Sequence, residues 1–175
     1  MKHDRAPAEA LLRVLASARG TAGRVRFAPP GTSGTRRGAV AVERREPHCV
    51  ILRERGRFLP DGGREIPYTD ALRFERRGGA VDVGHLRHDP MRPVRLVRLE
   101  PHEDGTLASV AAHRCGDDAY ALVARVRDDA VELEWTVRGP GKRGSIRVTY
   151  GPDAAGADRT SDCCTEQESS GRFPR

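Results

Sequence analysis

Apolar and polar residues alternate with a period of two along most of this chain, from about residue 23 to residue 150. The clearest stretch is 130–138, where Val131, Leu133, Trp135 and Val137 alternate with polar side chains. Because successive side chains of a β-strand point to opposite faces, this pattern predicts strands that each bury one face. Applied to the whole region, it predicts eight to ten short strands, over about 24–28, 36–45, 48–55, 66–76, 80–86, 93–100, 106–114, 118–127, 130–138 and 143–150.

Turn-forming residues separate these segments, as at Asp128-Asp129, Gly78-Gly79 and Asp104-Gly105. Such short connections favour antiparallel pairing between strands that are neighbours in sequence. An open sheet of this many strands would expose two edges, and closure removes both. The sequence therefore predicts an all-β fold, an antiparallel up-and-down β-barrel with room inside for side chains and one small ligand. A β-sandwich is the alternative.

The two ends of the chain do not follow the strand pattern. Residues 7–18 place Leu11, Leu12 and Leu15 at helical spacing, which predicts a short helix that could plug one end of a barrel. Residues 151–175 lack apolar periodicity and are rich in Gly, Asp, Ser and Thr. We therefore expect an N-terminal helix segment over 1–22, a barrel domain over 23–150 and a disordered tail over 151–175.

Charge and composition restrict the partners. Charged residues make up 32% of the chain and the net charge is +6, but acidic residues are interspersed among the basic ones, so nucleic acid is a disfavoured partner. No apolar run approaches the roughly 20 residues that span a bilayer, and the N-terminus does not resemble a secretory signal. We expect a cytoplasmic protein with no membrane contact and four free cysteines; a homodimer is compatible with the sequence.

Two motifs near the end of the barrel region are more specific. Residues 113–120 read His-x-Cys-Gly-x-Asp-x-Tyr, and residues 135–142 read Trp-x-Val-x-Gly-Pro-x-Lys. Together with 86–101, they resemble the DUF6314 family, an uncharacterised group of small bacterial and fungal proteins. The resemblance spans about 20–150 and implies a lipocalin- or calycin-like barrel, but no activity. The chain departs from the family pattern at Arg143 and Gly144.

The same motifs supply the candidate site residues. His113 and Tyr120 flank a turn, and imidazole and phenol groups there could hydrogen-bond a ligand or transfer a proton. Trp135, the only tryptophan, offers a flat stacking surface. Arg138 and Lys142 bracket a Gly-Pro-Gly turn and suit an anionic group. The full set of predicted ligand-binding residues is His113, Cys115, Asp118, Tyr120, Trp135, Arg138, Lys142 and Tyr150.

Two classes of function remain open. The first is a barrel that binds a small molecule, expected to be anionic and partly aromatic or apolar. The second is an enzyme on the same scaffold, an isomerase, cyclase or hydrolase in which His113 and Tyr120 act as acid–base groups. No cofactor is predicted, and His85, His88 and His113 lack the spacing of a metal motif, so no metal site is predicted either. Tyr68, Arg53 and Arg73 lie on earlier strands and could also face the interior.

Overall fold

The computed structural model describes residues 6–28, 33–86, 93–152 and 154; His88, Cys163, Cys164 and almost all of the predicted tail lie outside them. The described residues form one helix, α1 (Ala6–Leu15), and eleven strands. The strands are β1 (Gly20–Ala28), β2 (Gly34–Glu46), β3 (Cys49–Pro60), β4 (Ile66–Arg77), β5 (Ala80–His85), β6 (Val94–Pro101), β7 (Leu107–Ser109), β8 (His113–Cys115), β9 (Asp118–Arg127), β10 (Ala130–Arg138) and β11 (Arg143–Gly151).

The strands close into a barrel. From β1 to β7 each strand pairs antiparallel with the next, β7 pairs with β9, and β9, β10 and β11 continue the meander. The ring closes where β11 pairs with β1, with Gly20 opposite Gly151 and Ala28 opposite Arg143. Ten of the described strands form this ring, and β8 is an additional short strand on β9. The predicted up-and-down antiparallel β-barrel is confirmed.

One predicted strand, 106–114, is divided into β7 and β8. The side-chain hydroxyl of Ser109 accepts a hydrogen bond from the Leu122 backbone N–H at 3.0 Å, where a ladder carbonyl would otherwise be the acceptor. The chain then leaves the sheet, and Val110 is 60% exposed. It rejoins β9 at His113, which pairs with Tyr120. The interruption sets β8 apart as a small hairpin with the start of β9.

Helix α1 covers one end of the barrel. Leu11, Leu12 and Leu15 are buried, and the helix packs against β3, β4, β9, β10 and β11. Its apolar stripe completes a core built from inward-facing strand residues such as Phe74 and Val131. The helix ends at Leu15, earlier than expected, and the N–H groups of Ser17 and Ala18 bond three residues back to the Val14 and Leu15 carbonyls. No described helix is long and apolar enough to cross a bilayer.

Candidate ligand-binding site

A cavity of about 350 Å³ lies inside the barrel, on the side away from helix α1. The helix covers the end of the barrel that contains Phe74, Val81 and Val131. The cavity is lined by Leu72, His85 and Trp135, which lie on the same strands two to four residues closer to the other end of the barrel. The helix therefore closes one end and leaves the cavity to open at the other.

One wall of the cavity is apolar. It is formed by Leu133 and Trp135 of β10, Ile146 and Val148 of β11, and Leu96 of β6. The register places Trp135 opposite Leu122 on β9 and opposite Ile146 on β11. The indole ring thus lies in the middle of an apolar surface and is itself partly exposed to the cavity.

A second part of the lining is polar and is called the polar wall. It is formed by Arg36 of β2, Asp70 of β4, His85 of β5 and Tyr150 of β11. Each of these residues lies an even number of positions along its strand from a buried apolar residue, as Asp70 does from Leu72. The alternation of the strands therefore turns these side chains inward.

Glu54 is the anchor of the polar wall. Its side chain is fully buried and forms an ion pair with the Arg36 guanidinium. The Tyr150 hydroxyl donates to its Oε1, and the Tyr68 hydroxyl donates to its Oε2 at 3.4 Å. Arg36 also donates from Nε to the Tyr68 oxygen at 3.2 Å, with its guanidinium carbon 4.3 Å from the centre of that ring. Both carboxylate oxygens are satisfied, as burial of a charge requires.

This environment shifts the pKa values of the three partners of Glu54. Burial alone would lower the pKa of Arg36, but the adjacent Glu54 carboxylate outweighs it and raises that pKa above its usual range. Burial raises the pKa of Tyr150 well above its ordinary value, and the Glu54 charge adds to the rise. Burial also raises the pKa of Tyr68, although Arg36 opposes the shift. Near neutral pH the guanidinium is therefore charged and both phenols are protonated.

Asp70 and His85 form a second polar pair in the same wall. The imidazole Nε2 lies 2.7 Å from Asp70 Oδ1, which also accepts the Ala71 backbone N–H at 2.8 Å. The other ring nitrogen, Nδ1, is buried and has no hydrogen-bond partner among the described residues. Because buried polar atoms are normally satisfied, this nitrogen is a candidate contact for a ligand.

The β8–β9 hairpin forms part of the cavity entrance. His113, Cys115 and Tyr120 all line the cavity, and Cys115 is exposed. Gly116 has a φ of 60°, which supports the sharp turn between the two strands. The His113 and Tyr120 rings are 6.5 Å apart and tilted by 53°, and no described hydrogen bond joins them. The enzyme alternative based on these two residues stays a prediction.

Three predicted site residues lie outside the cavity lining. Lys142 forms an ion pair with Asp118 at 2.8 Å, and its ammonium lies 5.5 Å from the centre of the Tyr120 ring. The hydrogen bond with Asp118, together with one to Tyr120, raises the pKa of Lys142. Arg138 is exposed. The predicted residues that the structure brings together are His113, Cys115, Tyr120, Trp135 and Tyr150.

Sequence reasoning missed Arg36, Glu54, Asp70 and His85. The sequence pattern could have indicated them, because each lies at an alternate position in line with buried apolar residues of its strand, as Glu54 does with Val50 and Leu52.

Conversely, Tyr68 faces inward as expected, but Arg53 and Arg73 do not. Arg53 pairs with Glu43 and Arg73 with Glu75 on the outside, because Leu52 and Leu72 take the inward positions.

The closed ring and its enclosed space define this chain as an antiparallel β-barrel with an internal cavity large enough for a small molecule. The model of the family of unknown function DUF6314 matches residues 19–152. That range covers most of the chain, including the whole barrel and both motifs, and the chain belongs to the DUF6314 family.

Two solved structures show a distant similarity. A de novo designed fluorescence-activating β-barrel has a TM-score of 0.39 and 15% identity, over 77% of this chain and 91% of the design. A redesigned β-barrel, mFAP1, bound to DFHBI, has a TM-score of 0.38 and 11% identity, over 79% of this chain and 98% of the other. No curated protein matches the sequence.

Proposed function

We propose that this protein binds a small, partly aromatic molecule with an anionic group inside its barrel. The observation that carries the proposal is the cavity of about 350 Å³, which is lined by an apolar wall around Trp135 and a polar wall that contains Arg36. Small-molecule sites typically measure about 300–1,000 Å³ and combine an apolar lining with a few convergent polar groups. This cavity has the size and the lining of such a site.

The apolar wall favours a flat ring. Trp135 lies between Leu122 and Ile146 in the sheet, and Tyr120 lines the cavity near its entrance. Aromatic rings prefer offset or edge-to-face contact with one another, which this pair of side chains can offer to a ligand. A ligand of a single ring, or two fused rings, fits a space of this volume.

The polar wall favours an anionic group. Arg36 is the cationic side chain among the residues lining the cavity, and its described hydrogen bonds use Nε and Nη2. Its Nη1 donors make no described hydrogen bond, so the guanidinium retains donors for a carboxylate or phenolate. Tyr150 and His85 stand beside it in the same wall.

Titration of the single tryptophan tests the proposal. The panel contains benzoate, 4-hydroxybenzoate and phenyl phosphate, with acetate and benzyl alcohol as probes that lack the ring or the charge. We expect the aromatic anions to quench Trp135 fluorescence and to raise the unfolding temperature. Saturation at about 100 times Kd corresponds to about 2.7 kcal/mol of added stability.

A variant that fills the cavity provides the control. Ile146→Phe adds volume to the apolar wall and is expected to weaken binding of the best aromatic anion by about tenfold or more, measured by calorimetry. Val110→Phe adds the same kind of ring at a position that is 60% exposed and does not line the cavity. Equal affinities of the two variants, or no binding by any aromatic anion, would contradict the proposal.

A further inference from the structure

We infer that His85 is the proton acceptor of the cavity, and that the ligand is a weak acid with a phenolic or enolic hydroxyl that binds as its anion. The inference rests on the proposed function, since it requires a ligand in the cavity. It assigns a chemical role to the Asp70–His85 pair, which lies outside both sequence motifs.

The hydrogen bonds of the pair define the protonation of the imidazole. A carboxylate only accepts hydrogen bonds, so the nitrogen 2.7 Å from Asp70 Oδ1 must carry the proton, and that nitrogen is Nε2. In the neutral ring the other nitrogen, Nδ1, then has a free lone pair. This nitrogen is the buried atom without a hydrogen-bond partner among the described residues. It is therefore placed to accept a proton.

Asp70 is held in position to support this role. The Ala71 backbone N–H donates to the same carboxylate oxygen at 2.8 Å, and the Leu86 N–H donates to the Ala71 carbonyl at 2.9 Å. The carboxylate is thus fixed to the β4–β5 ladder rather than free to rotate. A carboxylate held against one imidazole nitrogen stabilises the imidazolium that forms when the other nitrogen is protonated.

The charges around His85 allow the transfer. The ionisable residues that line the cavity with it are Asp70 on β4, Arg36 on β2, Tyr150 on β11, His113 and Cys115 on β8, and Tyr120 on β9. Glu54 largely neutralises Arg36, so Asp70 supplies the net negative charge next to the imidazole. An imidazolium paired with that carboxylate leaves no uncompensated positive charge in the wall.

The proton transfer is balanced within the complex. The ligand O–H bond breaks, an N–H bond forms at His85 Nδ1, and the electron pair stays on the ligand oxygen as a phenolate or enolate. The Nε2–H continues to donate to Asp70. No net charge enters or leaves the cavity in this step, and the Nη1 donors of Arg36 in the same wall are available to the new anion.

The test uses 4-nitrophenol, whose phenolate absorbs at longer wavelength than its neutral form. The probe is mixed with the full chain at a pH where the free probe is mostly neutral, and binding is followed independently by Trp135 fluorescence. We expect the bound probe to be ionised. His85→Gln keeps an amide that can bond to Asp70 but has no basic nitrogen, so the phenolate-to-phenol ratio of bound probe should fall by about tenfold or more.

Two further variants make the result specific. Asp70→Asn keeps an acceptor for Nε2–H but removes the charge, and is expected to lower the same ratio in the same direction; it also serves if His85→Gln does not fold. His102→Gln, at an exposed turn between β6 and β7, is the matched control. If ionisation is lost with His113→Gln and kept with His85→Gln, the inference is overturned.

The outcomes separate this inference from the proposed function. If 4-nitrophenol quenches Trp135 but stays neutral, or does not bind while benzoate does, the acid–base role of His85 is overturned and the ligand-binding cavity stands. If no aromatic anion in the panel binds, both fail. Ionisation of the bound probe that depends on His85 and Asp70 supports both.

Discussion

Among the residues that the structure describes, Glu54 is the buried charged residue of the interior. It is a fully buried carboxylate that contacts Arg36, Tyr68 and Tyr150, which lie on three different strands. Its contacts connect β2, β4 and β11 across the interior of the barrel. A buried ion pair contributes little net stability compared with apolar residues of the same shape, but removal of one partner leaves an uncompensated charge. The Arg36–Glu54 pair therefore makes the interior intolerant of single substitutions.

A double-mutant cycle tests this at the residue scale. Glu54→Leu leaves Arg36 buried without its counter-charge, and we expect it to lower the free energy of unfolding by about 3–5 kcal/mol. Arg36→Leu combined with Glu54→Leu removes both charges and should be less destabilising than Glu54→Leu alone. Urea denaturation measures each variant. A double variant that loses the sum of the two single losses would contradict the coupling.

The cavity residues also show which part of the site the sequence predicts and which part it does not. Uninterrupted alternation along their strands predicts that Trp135, Tyr120 and Tyr150 face inward, and all three line the cavity. Arg36 and Asp70 have the same parity as their apolar neighbours, yet a charged side chain on a strand is more often solvated. The register between paired strands places Arg36 against Glu54 and Asp70 against His85. The closure of the barrel then adds Tyr150 of β11.

At the scale of the strands, inward-facing glycines allow close approach. Gly38 of β2 lies opposite Gly56 of β3, next to the Tyr68 ring. A Cβ added at Gly56 would lie 2.8 Å from the Gly38 Cα and 2.8 Å from a Tyr68 ring carbon. Strand glycines commonly mark such close backbone contacts and the bends of barrels. These glycines leave room for the Tyr68 ring beside Arg36.

A pair of glycine substitutions tests this packing. Gly56→Ala is expected to lower the free energy of unfolding by about 1–3 kcal/mol, because its Cβ overlaps backbone atoms that cannot move without disturbing the ladder. Gly141→Ala lies in the β10–β11 turn, where no atom is within 4 Å of the added Cβ, and should change stability by less than about 0.5 kcal/mol. Thermal unfolding compares the two. Equal losses would mean that the β2–β3 approach is not tight.

At the scale of the whole molecule, ion pairs balance charges on the outer surface, and ionisable side chains are buried in the interior. On the outer face of β9–β11, Arg125 and Arg147 both contact Glu134, at 3.0 and 2.8 Å. Such pairing weakens the field of a chain with net charge +6. The buried phenols, in contrast, connect global stability to pH.

Stability should fall in alkaline solution. Burial raises the pKa of Tyr68 and of Tyr150 in the folded protein, so the unfolded chain loses these protons first as the pH rises. Their contribution is complete below about pH 10 and is lost above it, by up to about 1.4 kcal/mol per pH unit for each tyrosine. Urea denaturation across this range measures the slope. Tyr150→Phe should reduce it, and an unchanged slope would show that Tyr150 does not contribute.

The sequence by itself determined the elements and the class of fold. Strand periodicity, turn residues and one amphipathic segment are local properties, and they sufficed to predict the antiparallel strands, the helix and the DUF6314 motifs, with a barrel favoured over a sandwich. The tertiary structure decided the site. Ring closure through β1 and β11, with its register, brings Arg36, Glu54, Asp70, His85 and Tyr150 from five strands around one cavity. Contacts between strands depend on register and closure, which the order of residues along any single strand does not specify.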